Sequence, residues 1–83
     1  MKKSIEEYVK DHIGNDYIDF SSDENIIEIA ADVAEEILEQ EHPGMEHWVQ
    51  DPWGTLRYTE TSQDLFNSYY EEVRGSLETD WKP

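Results

Sequence analysis

Ser21-Ser22-Asp23-Glu24-Asn25-Ile26-Ile27-Glu28-Ile29-Ala30-Ala31-Asp32-Val33-Ala34-Glu35-Glu36-Ile37-Leu38-Glu39 carries the clearest periodicity in the chain. Apolar residues recur there every three or four positions from Ile26 to Leu38, the period of an amphipathic helix rather than a strand. Placed at about 100° per residue, Ile26, Ile29, Ala30, Val33, Ala34, Ile37 and Leu38 share one broad side. Glu24, Glu28, Asp32, Glu35, Glu36 and Glu39 fall within an arc of roughly 120° on the other. The stretch predicts a long helix with a core face and a carboxylate ridge. Ser21, with Glu24 three residues on, reads as a capping box at its start. Pro43 requires the helix to end beforehand, because the residue before a proline avoids helical geometry.

Working outward, a first helix is predicted from a capping box at Ser4 and Glu7, with Ile5, Tyr8, Val9, His12 and Ile13 at helical spacing. Gly14 stops it. Asp16 to Phe20 reads as a linker or short strand. On the other side, Pro43-Gly44 and Asp51-Pro52-Trp53-Gly54 bound a turn-rich segment, with a short helical turn through Met45 to Val49 expected between them. Thr55 to Thr59 alternates and is rich in β-formers, so a short strand is expected there, pairing with Tyr17 to Phe20. A third long helix should start near Thr61 or Ser62, hold a helical face of Leu65, Phe66, Tyr69, Tyr70, Val73 and Leu77, and end at Gly75. Leu77 and Trp81 are expected to pin the tail. The fold class is thus mainly α, three long helices plus a short one, becoming α+β if a two-stranded ribbon forms.

Eighty-three residues make a single domain, 1–83. Such a chain buries only about 60–65% of its unfolded surface. Three tryptophans, five tyrosines and seven isoleucines in helical register argue for a folded chain despite its acidity. There is no cysteine, so no disulfide or thiolate metal site is available, a composition that suits a reducing cytoplasm. Met1-Lys2-Lys3-Ser4-Ile5-Glu6-Glu7 runs straight into carboxylates and does not read as a signal peptide. The stretch Ile26 to Leu38 is interrupted by Glu28, Asp32, Glu35 and Glu36 and does not read as a membrane span.

Charge decides which partners are admissible. Twenty-one Asp and Glu face six Lys and Arg, a formal net charge of −15. That field repels nucleic acid and anionic membrane and draws in basic surfaces. Chemistry, by contrast, has little to stand on. His42 and His47 are five apart, off the four-residue spacing of a helical metal pair, and His12 ends an apolar stripe. No nucleophile motif or phosphate-cradling glycine loop is present, and so small a domain leaves little room for a pocket that tunes an acid. The expectation is a binding protein, not an enzyme, with no metal and no cofactor. It should be a monomer or weak homodimer whose stability rises with salt as self-repulsion is screened.

Two features are candidates for the working surface. The ridge from Glu24 to Glu39 is about 22 Å long, with roughly one charge per 4 Å, near the 3.4 Å axial spacing of phosphates on one DNA strand. Like charges at four-residue spacing weaken a helix, and few lysines stand nearby to relieve them. Trp48 and Trp53 lie in the segment bounded by proline and glycine, where an aromatic side chain serves as a binding anchor or lids the core.

In size, charge and helical ridge the chain resembles the phage-encoded DNA-mimic inhibitors: anti-restriction, anti-CRISPR and DNA-glycosylase inhibitor proteins. The resemblance implies occupation of a partner's nucleic-acid groove. Ser21-Ser22-Asp23-Glu24, Glu41-His42-Pro43-Gly44, Pro52 and a final helix with Val73-Arg74 resemble a second family, the colicin and pyocin nuclease immunity proteins. That family implies an acidic four-helix domain that neutralises a nuclease. Where it presents two tyrosines to the nuclease, this chain holds His47 and Trp48. Both resemblances imply a basic nucleic-acid-binding protein or nuclease as partner. An adaptor or a halophilic domain with incidental acidity is the remaining reading.

Overall fold

In a computed structural model that describes residues 3–83, the chain forms helices α1 (Ile5–Ile13) and α2 (Asp23–Glu41), strands β1 (Trp48–Gln50) and β2 (Leu56–Tyr58), and helix α3 (Glu60–Ser76). Met1 and Lys2, at the charged start, lie outside the described residues. The mainly α class is as expected, and a two-stranded antiparallel ribbon is present.

Helix α1 begins as its capping residues predict. Ser4 Oγ accepts the Glu7 N–H at 3.2 Å, and Gly14, at a φ of 60°, closes the other end by donating its N–H to Lys10 O at 2.9 Å. Tyr8 and Val9 are buried. Tyr8 donates its hydroxyl hydrogen to Glu41 Oε1 at 2.9 Å, tying α1 to the last turn of α2. Burial first, and then this carboxylate, push the phenol up to about 12.

The predicted capping box of α2 does not form. Ser21 is drawn away by Asp19, whose Oδ1 accepts the Ser21 N–H at 3.0 Å and its hydroxyl at 2.6 Å. Those two bonds hold the Asp19 carboxyl below its ordinary range. Ser22 becomes the N-cap, and its side chain makes no capping bond. Asx turns of this kind compete directly with caps for nearby hydroxyls and N–H groups. The interior of α2 follows its pattern: all seven residues expected on the core side are buried. They meet Tyr8, Val9, Phe20, Val73 and Leu77 in one core.

The strand pairing differs from expectation. Tyr17 to Phe20 forms no strand, and β2 pairs instead with β1, with Trp48 opposite Tyr58, Val49 opposite Arg57 and Gln50 opposite Leu56. The expected helical turn at Met45 to Val49 is replaced by β1. Closing a hairpin across five tip residues costs less chain entropy than joining segments nearly forty apart. The tip supplies its own bonds: Asp51 Oδ1 accepts from Trp53 N at 3.0 Å and Thr55 N at 2.9 Å, while Gly54 takes a φ of 86°.

Helix α3 starts slightly earlier than predicted, with Thr59 as N-cap accepting the Ser62 N–H at 3.2 Å. Gly75 does not end it. The chain continues through Ser76 into a π-helical turn, Leu77–Trp81, closed by Lys82 N to Leu77 O at 2.9 Å. Leu77 is fully buried and Trp81 packs against Phe20 with ring centres 5.4 Å apart. Their burial outweighs the cost of about 1 kcal/mol that an interior glycine carries.

Candidate functional site

A continuous 19-residue helix carries the ridge, so the backbone spacing of its carboxylates is set by the helix. Glu24, Glu28, Asp32, Glu35 and Glu39 are exposed and Glu36 is half-buried. The two edges of the row are occupied differently. On the α1 side, His12 stands between two of its members, with Nδ1 3.1 Å from Glu36 Oε1 and Nε2 3.7 Å from Asp32 Oδ2. On the other side stands Tyr58 of β2, whose phenol is raised by burial and then by the charges of Glu35 and Glu39.

Four of the chain's cations are paired elsewhere. Lys3 pairs with Asp11, Lys10 with Glu6, Arg74 with Glu78 and Lys82 with Asp23. Among the described residues no lysine or arginine forms an ion pair with any of the six ridge carboxylates. Among the described basic residues only His12 stands against them, at Asp32 and Glu36. A row of fixed anions attracts cations, and long-range attraction speeds such encounters.

Trp48 and Trp53 have separate surroundings. Trp48 is 42% exposed and stacks on Tyr58 at 4.2 Å; Tyr58 leans on Phe66 at 5.2 Å, and Phe66 on Tyr70 at 6.2 Å. Through Tyr58 this ladder reaches the Glu35 and Glu39 end of the ridge. Trp53 is 87% exposed at the hairpin tip and joins none of the aromatic pairs. It does not lid the core.

The remaining histidines hold the hairpin to the body. His42 Nε2 lies 2.8 Å from Tyr69 Oη. His47 Nε2 lies 3.2 Å from the His42 carbonyl and Nδ1 lies 2.8 Å from Ser62 Oγ. A carbonyl only accepts, so Nε2 carries the hydrogen, and in the neutral ring Nδ1 accepts from the Ser62 hydroxyl. A serine and histidine this close invite a nucleophilic reading, but Ser62 is wholly buried and no substrate carbonyl can reach it. The pair is a clamp.

Sequence reasoning missed two parts of this surface. His12 was assigned only to the end of an apolar stripe, and its reach across to Asp32 and Glu36 depends on how α1 crosses α2. The exposure of Met45, Val49 and Leu56 was also missed, because β-formers at alternating positions signal a strand without saying whether anything covers it. Comparison with protein-family models, with curated proteins and with solved structures finds no match.

Proposed function

We propose that the protein is an acidic inhibitor that covers the basic nucleic-acid-binding surface of a partner protein, with the α2 ridge standing in for a run of phosphates. This is the mode of action of the phage-encoded anti-restriction and anti-CRISPR mimics. The observation that carries the reading is the row of six carboxylates along α2 with no lysine or arginine paired to it among the described residues. Keeping like charges at three- and four-residue spacing costs a helix a few tenths of a kcal/mol per pair. That cost is recovered when cationic side chains arrive.

The test is a charge-deletion series on the ridge. Glu28→Gln, Asp32→Asn, Glu35→Gln, Glu36→Gln and Glu39→Gln, combined in one variant, keep size while removing charge. The wild-type chain, immobilised, captures its partner from a host lysate, and the purified partner is then titrated with wild type and variant, with and without duplex DNA. Wild-type binding should weaken as salt rises and be displaced by duplex, and the variant should bind far more weakly with a flattened salt dependence. Full binding by the variant would defeat the reading.

A further inference from the structure

The hairpin carries little net charge and is the most apolar part of the described chain on its outside. Between Pro43 and Tyr58 the charged residues are Glu46, Asp51 and Arg57, two carboxylates less one guanidinium, or −1 out of the chain's −15. Seven large apolar residues are exposed in the whole described chain, and five of them, Met45, Trp48, Val49, Trp53 and Leu56, lie in this segment. The structure exposes 5676 Å², whereas a folded monomer of 9.8 kDa is expected to expose about 5,200 Å². A projecting arm with an uncovered face accounts for such an excess.

The free edge of that arm is self-complementary. Backbone bonds from Thr59 N to His47 O and from Asp51 N to Thr55 O flank the ribbon. In an antiparallel ladder the bonded pairs alternate with unbonded ones, so Val49 and Arg57 are the bonded pair between them. The N–H and C=O groups of Trp48 and Gln50 therefore point to the open side of β1. Besides the ribbon's own ladder, none of the backbone bonds reaches them. A two-fold axis through Val49 would place Trp48 opposite the partner's Gln50, each exchanging both backbone bonds with the other. Val49 would then meet its own copy as the close, unbonded pair. Met45 and Trp53 lie four residues either side of Val49, so the same axis carries one copy's Trp53 towards the end where the partner's Met45 lies.

We infer that β1 is a homodimerisation edge, on which two copies of this chain join their hairpins into one four-stranded antiparallel sheet. A second copy fits this edge better than a basic protein does, because the segment from Pro43 to Tyr58 carries a net charge of only −1 out of the chain's −15. A two-stranded ribbon is marginal by itself, and two more strands stabilise it. Met45, Trp48, Val49 and Trp53, the exposed apolar residues outside β2, supply on the order of 400 Å² per copy, below the roughly 800 Å² per partner of a standard interface. The dimer is accordingly weak, and it strengthens when salt screens the charge on each copy.

Sedimentation velocity on the full chain tests this at about 0.1 M and about 1 M potassium chloride. The mass should climb from 9.8 kDa towards twice that value with protein concentration, and at lower concentration in the higher salt. Gln50→Pro removes an N–H that faces the open edge, a position where a strand tolerates proline. Val49→Glu sets two carboxylates against each other at the axis. Both variants should stay monomeric with unchanged helical circular dichroism, while Val49→Ile dimerises as the wild type does. Hydrogen exchange on the wild type gives a readout that needs no variant: the Trp48 and Gln50 amides should gain protection as concentration rises. A wild type that stays monomeric at millimolar concentration in high salt would overturn the inference. So would a dimer unaffected by both substitutions, or exchange at those two amides that ignores concentration.

Discussion

Helix α2 and the hairpin treat their apolar residues in opposite ways. The helix buries Ile26, Ile29, Ala30, Val33, Ala34, Ile37 and Leu38 and turns charge, Gln40 and a single large apolar residue, Ile27, outward. The hairpin leaves Trp48, Val49 and Leu56 on its surface and is held by polar contacts at both ends. The free energy of folding therefore resides in the helical body, and the arm is attached to it by His47, Ser62 and the stack of Trp48, Tyr58 and Phe66. In a chain this small, a surface given to recognition is a surface withheld from the core.

The sharpest way to break this contrast is to truncate one leucine in each region. Leu38→Ala opens a cavity in the body and should cost about 2–5 kcal/mol, enough to bring so small a domain close to unfolding. Leu56, 64% exposed in the arm, should lose no more than about 0.5 kcal/mol on the same change. Urea denaturation of the two variants side by side measures the difference, and equal losses would show that the arm contributes to the core.

The clamp comes next in size. Ser62→Ala leaves the Nδ1 of the half-buried His47 without its partner and should cost about 1 kcal/mol. The loss should be local: amides of β1 and β2 should exchange faster by hydrogen exchange, while those in the middle of α2 keep their protection. A uniform loss across both regions would tie arm and body into one cooperative unit.

The Tyr8 bond probes the body alone, through pH. Its phenol is raised from 10 in the unfolded chain to about 12 in the fold, so its contribution is fully present below pH 10. That contribution is lost as pH climbs through about 12. Thermal melts should fall across this window, and Tyr8→Phe should flatten the fall while costing about 1 kcal/mol near neutrality. An alkaline slope that survives Tyr8→Phe would point to Tyr58 and Tyr69, which burial also raises.

The smallest effect on folding belongs to the ridge. The combined Glu28, Asp32, Glu35, Glu36 and Glu39 amide variant should be as stable as the wild type or better by a few tenths of a kcal/mol per relieved pair, with a weaker salt dependence of its melting temperature. A destabilised variant would mean that the contacts of Asp32 and Glu36 with His12 matter more than the repulsion they accompany.

Element types were legible wherever one residue's neighbours along the chain settle its conformation. Period and caps are local, so Ser4, Gly14, the Ile26 to Leu38 stripe and the stop before Pro43 read directly from the order of residues. Local signals misled where two of them competed. Asp19 took the hydroxyl of Ser21 that the capping box required, and the burial of Leu77 and Trp81 carried α3 past Gly75. The ridge was equally local, since six carboxylates on one helix share a face whatever surrounds them. What bounds it was not: His12 and Tyr58 reach it from elements far along the chain.

By itself the order of residues determined a mainly helical domain, the face of α2 that enters the core, and a net charge of −15 with six carboxylates aligned on the other face of that helix. Each follows from spacing and composition, which need no knowledge of what lies across space. Tertiary structure decided which segment pairs with β2, that Trp53 stands free while Trp48 is stacked, and that Ser62 sits too deep to react. These depend on which surfaces meet, and burial is a property of the packed chain that no residue carries in its own neighbours.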